Sequence, residues 1–149
     1  MMVELRPIDD YNRAACEHLS VRDDQKQYIA SNTDSLIEAK ENMEVARPFA
    51  ILADDRIVGF AMFAFDEKNE DPEDRYWLWR FMIDEKEQGK GYGSSALAEI
   101  IKYFQDHHAD IITLSTKGSN TGALHLYHQF GFSENGQMND DEIVLKLRL

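Results

Sequence analysis

Gln88-Gly89-Lys90-Gly91-Tyr92-Gly93-Ser94-Ser95 is the stretch on which the reading of this chain turns. Before it, residues 76–83 are large and apolar, broken only by Arg80, as an interior strand requires. After it, residues 94–107 carry Leu97, Ile100, Ile101 and Phe104 at the spacing of one helical face. Three glycines in five residues leave backbone amides uncovered and admit positive φ. A helix that starts there adds unpaired N–H groups and the positive end of its dipole. Those are the parts of a phosphate cradle, with Lys90 as a local cation; the competing reading is a turn that merely starts a helix. A nucleotide-triphosphate loop is excluded, because Gly91, not Ser or Thr, follows Lys90. A dinucleotide fingerprint begun at Gly89 fails at Ser94, and it follows several strands instead of opening the first β-α-β unit.

Working outward, residues 3–8 read as a strand, and Asp9-Asp10 offer a cap for a helix to about residue 19, with Ala14, Ala15 and Leu19 on its apolar face. Residues 23–29 form a weaker helical turn, and residues 31–42 a helix. Residues 47–53 and 56–65 make a hairpin across Asp54-Asp55. The connection 66–74 is hydrophilic, with six carboxylates. Beyond the glycine stretch come a strand over 111–115, a helix over 120–130, and two strands over 132–138 and 142–148. The order β-α-α-β-β-β-α-β-α-β-β describes a mixed sheet with helices on its faces, because hairpin-linked strands precede a single crossover.

Sixteen Lys and Arg against 28 Asp and Glu leave a net charge of −12 in 149 residues, a length suited to one domain over 1–149. That charge opposes nucleic-acid binding, which rests on basic residues neutralising phosphates, and favours cationic partners. No apolar run approaches the ~20 residues of a membrane span, and the N-terminus does not read as a signal peptide. With one cysteine, Cys16, no intramolecular disulfide forms, and a reducing cytoplasm is the expected compartment.

A second motif follows the strand after the glycine stretch: Asn120, Ala123, Leu126-Tyr127 and Gly131-Phe132. Together with Gln88, Gly91 and Gly93, it resembles the GNAT superfamily of acyl-CoA-dependent N-acetyltransferases, whose element order the chain matches along nearly its whole length. The resemblance implies an α/β fold with a mixed, mostly antiparallel sheet of about 6–7 strands and helices on both faces. It implies acetyl-CoA as cofactor, with Phe81, Met82 and Ile83 along the pantetheine arm. Amides of Gln88, Gly89, Lys90, Gly91, Tyr92, Gly93 and Ser94 would hold the pyrophosphate, and Asn120 would contact the arm. Tyr127 becomes the general acid, since a phenol of ordinary pKa about 10 is protonated at neutral pH and a departing thiolate can take its proton. Its other reading is a ring packed in the core.

Polyamine-type members often carry a carboxylate two residues ahead of the first pantetheine-facing residue. Here Trp79 stands there, and an indole accepts no proton, so the base is another carboxylate acting through water, or solvent. Residues 76–81 and 28–41 are similar to bacterial spermine/spermidine acetyltransferases. That similarity implies a polyamine acceptor, and the superfamily resemblance a homodimer. Tyr28, Trp77 and Trp79 suit a methylene chain or a stacked cation, and Glu38 and Glu41, three apart on one helical face, suit separate ammonium groups. The same residues have plainer readings as a solvated helix face and a core strand. Another amine acceptor, or a non-catalytic acyl-CoA-binding domain, are the alternatives. The five histidines lack the spacing of a zinc site, so no metal is expected.

Overall fold

The computed structural model describes residues 2–149. One seven-stranded sheet runs in the order β1-β2-β3-β4-β5-β7-β6. Its strands are β1 (Val3–Pro7), β2 (Ala46–Ala53), β3 (Arg56–Phe65), β4 (Tyr76–Ile83), β5 (Ile111–Lys117), β6 (Ser133–Asn139) and β7 (Glu142–Arg148). Every neighbouring pair is antiparallel except β4 and β5. That exception follows from the chain: α3 (Tyr92–Asp106) is the crossover between them.

The sheet carries two apolar layers. Phe63, Leu78, Ile83, Leu97, Ile100, Phe104 and Leu114 bury one face under α3 and α4 (Thr121–Gln129). Phe60, Met62, Met82 and Cys16 bury the other under α1 (Arg13–Glu17) and α2 (Asn32–Glu41). Helix α1 is shorter than its sequence pattern suggests. The Asp9 carboxylate accepts hydrogen bonds from the N–H groups of Tyr11 and Asn12, and that turn delays the first helical residue to Arg13. Ala14 and Ala15, expected on the buried face, are exposed; Cys16 is the packed residue. The Asp54-Asp55 turn is tight, both residues taking positive φ.

Two irregularities shape the middle of the sheet. In the pairing of β3 with β4, Met62 faces Arg80 and Phe63 faces Leu78, so Trp79 is the extra residue of a bulge. Between β4 and β5 only Trp77 and Thr113 pair, and from there the strands part. The connection over 66–74 is pinned at that point. Thr113 Oγ1 donates to the Glu73 carbonyl at 2.8 Å, and the Glu73 carboxylate takes ion pairs from Lys146 and Arg148 of β7. Those two cations hold the Glu73 carboxyl below its ordinary pKa, the Lys146 hydrogen bond contributing most. The acidic run is therefore part of the architecture as well as a solubilising link.

Candidate active site

The parting of β4 from β5 opens a cleft of about 1310 Å³ through the centre of the sheet. Its walls are β4 from Trp77 to Ile83, β5 at Leu114, Ser115 and Thr116, and α4 with the residues ahead of it. Trp77 to Ile83 keep an edge free of β5 beyond the one closing pair, so backbone groups there are available to an extended ligand.

At one end the glycine loop meets the cleft. Gly91 caps α3 in the left-handed conformation at φ 86°, which a side chain would strain, and its carbonyl accepts from the Ser95 N–H at 3.2 Å. Helix α3 thus begins two residues earlier than its apolar pattern suggests. Its first N–H groups have no acceptor one turn back. Gln88, Gly89, Tyr92 and Gly93 line the cleft; Lys90, Gly91 and Ser94 do not. Gln88 spends its amide on folding the loop, donating to the Ile83 carbonyl at 2.9 Å and exchanging hydrogen bonds with Gln25. Lys90 is no free cation in the cradle. Glu87 binds both Lys90 and Arg56, and these partners, Arg56 first, hold its carboxyl below the usual range.

Phe81, Met82 and Ile83 all line the cleft, although the Met82 side chain packs toward α2, its sulfur 3.7 Å from Asn32 Nδ2. Asn120 lines it from the start of α4 and donates to Thr116 Oγ1 at 3.2 Å. Tyr127 lines it from the next turns of α4, 9% exposed, its ring edge-on to Phe132 at 5.6 Å. Burial pushes the Tyr127 phenol pKa well above its ordinary value, so it stays protonated. No hydrogen bond ties its hydroxyl to another described residue.

Of the residues expected at the acceptor, Tyr28, Trp77 and Trp79 line the cleft. The Tyr28 hydroxyl donates to the Ser119 carbonyl at 3.2 Å, tying the segment before α2 to the one before α4. Glu38 and Glu41 are not in the cleft wall. Glu38 is turned to Arg80, whose guanidinium it binds at 2.8 Å, and Glu41 faces solvent. Arg80 is both paired with a carboxylate and part of the cleft wall. The carboxylates that do line the region around Trp77 are Asp66, Asp74 and Glu142, and among the described residues none of the three has an ion-pair partner. Asp74 accepts from the Trp77 indole at 2.7 Å and Glu142 from Ser115 Oγ at 2.8 Å. Their sequence positions, in a hydrophilic connection and beside a turn, gave no signal of this; the strand register brings them together.

The open β4 edge and the glycine-capped α3 suit a ligand with an amide-bearing arm and a diphosphate, which is the chemistry of coenzyme A. The comparisons agree. The profile of the Acetyltransferase (GNAT) family matches residues 13–132. A spermine/spermidine N(1)-acetyltransferase of Bacillus subtilis (strain 168) is 36% identical over 151 residues, covering 98% of this chain and 99% of that protein. Among solved structures, the spermidine N-acetyltransferase of Vibrio cholerae in complex with CoA and spermine superposes with a TM-score of 0.76 at 18% identity, covering 98% of this chain and 95% of that one. The aminoglycoside acetyltransferase AAC(6')-Ib in complex with coenzyme A superposes at 0.78 and 17%, covering 99% and 95%. With a full-length relative, a matching profile and a sheet split between β4 and β5 all in accord, the chain belongs to the GNAT family of acetyltransferases.

Proposed function

We propose that the protein transfers the acetyl group of acetyl-CoA to a primary amine, with a polyamine as acceptor, by direct attack while both substrates are bound. One observation carries the reading: a single cleft joins the amide-rich start of α3, a buried protonated tyrosine, and a wall of aromatics with carboxylates lacking cationic partners.

Bound there, acetyl-CoA supplies an acetyl group activated as a thioester. The amides of the Gln88–Ser94 loop and the α3 dipole hold its diphosphate. Backbone groups of Phe81, Met82 and Ile83 hydrogen-bond the arm as an added strand would, and a main-chain N–H near Phe81 or Met82 polarises the carbonyl. Asn120 steadies the arm from α4. Tyr127 gives its proton to the departing thiolate, whose ordinary pKa of about 8.5 lies below that of a phenol.

At the acceptor end, Asp66 and Asp74 offer negative charge to an ammonium remote from the reacting one. Trp77, Trp79 and Tyr28 cover a methylene chain or stack a cation. The net charge of −12 speeds the encounter with a polycation. The curated relative named for spermine and spermidine supports this acceptor over aminoglycosides or peptide amines. We assign the protein to the cytoplasm, and to a homodimer through the exposed edge strand β6, which sedimentation equilibrium measures.

The deciding experiment is a thiol-release assay with acetyl-CoA across spermine, spermidine, lysine, aminoglycosides and peptide amines. Spermine and spermidine should give the highest kcat/KM. Turnover with another amine while both are inert would end the polyamine assignment, and no turnover with any amine would end the catalytic reading.

A further inference from the structure

We infer that Ser115 and Glu142 carry away the proton of the incoming ammonium, Ser115 touching the amine and Glu142 receiving the proton through it. The inference rests on the amine-acetyltransferase reading above and supplies the base that β4 lacks, since Trp79 accepts no proton.

The strand register places the pair. Trp77 and Thr113 close the cleft, and two residues further along their respective strands come Trp79 and Ser115. Ser115 therefore lies across the opening from the position a carboxylate on β4 would have occupied. Side chains alternate along a strand, so Ser115 shares a face with Thr113, and Glu142, opposite Lys117 in β7, is on that face too. Both line the cleft, both are half-buried, and Ser115 Oγ donates to Glu142 Oε1 at 2.8 Å. With its hydrogen committed to Glu142, Oγ has only lone pairs left for an approaching N–H.

Among the described residues no cation is paired with Glu142. On β5, Lys117 faces it but is drawn toward Asp141 at 3.8 Å; on its own strand Lys146 is bound by Glu73. On β6 its partner Asn139 is uncharged, and Asp140 and Asp141 occupy the adjoining turn. Across the cleft stand Asp66, Asp74 and Arg80, the last neutralised by Glu38. Asp66 and Asp74 come from the connection that precedes the closing pair. They suit a remote ammonium, not the reacting nitrogen.

The step balances without a further reagent. An ammonium N–H proton passes to Ser115 Oγ as the Oγ–H proton passes to Glu142 Oε1. The products are a neutral amine, an unchanged serine hydroxyl and a Glu142 carboxylic acid that returns its proton to water at the open cleft.

The test compares wild type with Glu142→Gln and Ser115→Ala, using whichever amine turns over best. Gln still accepts the Ser115 hydrogen bond but takes no proton. Both variants should lose about 10²-fold in kcat at pH 7. Their log kcat/KM should climb with unit slope between pH 6 and 9 as free amine becomes available, where wild type stays flat. CoA affinity by calorimetry and the melting temperature should not move. Wild-type kcat and pH profile in either variant would overturn the inference. So would a raised acceptor KM with kcat and profile unchanged, which marks Glu142 as a charge that only binds. If the best amine is not a polyamine, the polyamine assignment falls and the pH comparison still decides this one; if no amine reacts, both fall.

Discussion

Replacing Gly59 by alanine tests how tightly the cleft-lining strand β4 is held from behind. Gly59 lies in β3 opposite Ile83 of β4. A Cβ at Gly59 would stand 2.4 Å from the Met82 carbonyl oxygen and 2.9 Å from Ile83 Cδ1, whereas ordinary contact begins at 3.4 Å. The Ile83 methyl can swing aside. The Met82 carbonyl is backbone in a paired strand, so β4 must retreat by about 1 Å at the residues that line the cleft. Overpacking of this kind costs about 1–3 kcal/mol. For a chain of this length each kcal/mol lowers Tm by roughly 2–4 °C, so calorimetry on Gly59→Ala should show a fall on the order of 2–12 °C. Because a ~1 Å displacement at a positioned group can cost about 10²-fold, CoA affinity measured at 15 °C should weaken by at least about tenfold. A Tm and a CoA affinity equal to wild type would refute the packing argument. A lowered Tm with unchanged affinity would keep the packing and remove β4's edge from the cofactor site.

Three other perturbations probe separate parts. Tyr127→Phe should lower kcat by about 10²-fold or more with CoA affinity unchanged; because burial raises the phenol's pKa, wild-type kcat should show no alkaline loss below about pH 10. An unchanged kcat would return Tyr127 to a core-packing role. For Glu73, Lys146 and Arg148 lower the folded pKa. The stability it adds is present above the unfolded value of about 4.3 and is lost as pH falls through the folded one. The Tm gap between wild type and Glu73→Gln should accordingly be open at pH 7 and shrink as pH falls below about 4.3, and a gap that widens in acid would contradict the pairing. Burial pushes the Cys16 thiol up to about 12, so a disulfide reagent at pH 8 should find no reactive thiol until guanidinium unfolds the chain. Rapid labelling of native protein would show that α1 does not shield it.

Much of the site was legible because its chemistry is local. The glycine loop depends only on its own backbone and the helix that follows, and Gln88, Gly89, Tyr92 and Gly93 of that loop do line the cleft. The apolar run 76–83 marked an interior strand in the same way, and Leu-x-Tyr marked Tyr127. Lys90 reads as a local cation in the sequence; that it shares Glu87 with Arg56 depends on where β3 passes the loop. Glu38 read as half of an exposed acidic pair on its helix; that Arg80 would claim it depends on how α2 lies across β4.

The amino-acid order alone determined the alternation of strands and helices, the place of the single crossover, the glycine-capped helix start and the acidic balance, since each follows from neighbouring residues and their periodicity. Only the tertiary structure decided where β4 leaves β5, that Trp79 forms a bulge, and that Ser115, Glu142, Asp66 and Asp74 share one cleft. These depend on register between strands far apart in the chain, and a shift of one residue would turn every one of those side chains to the opposite face.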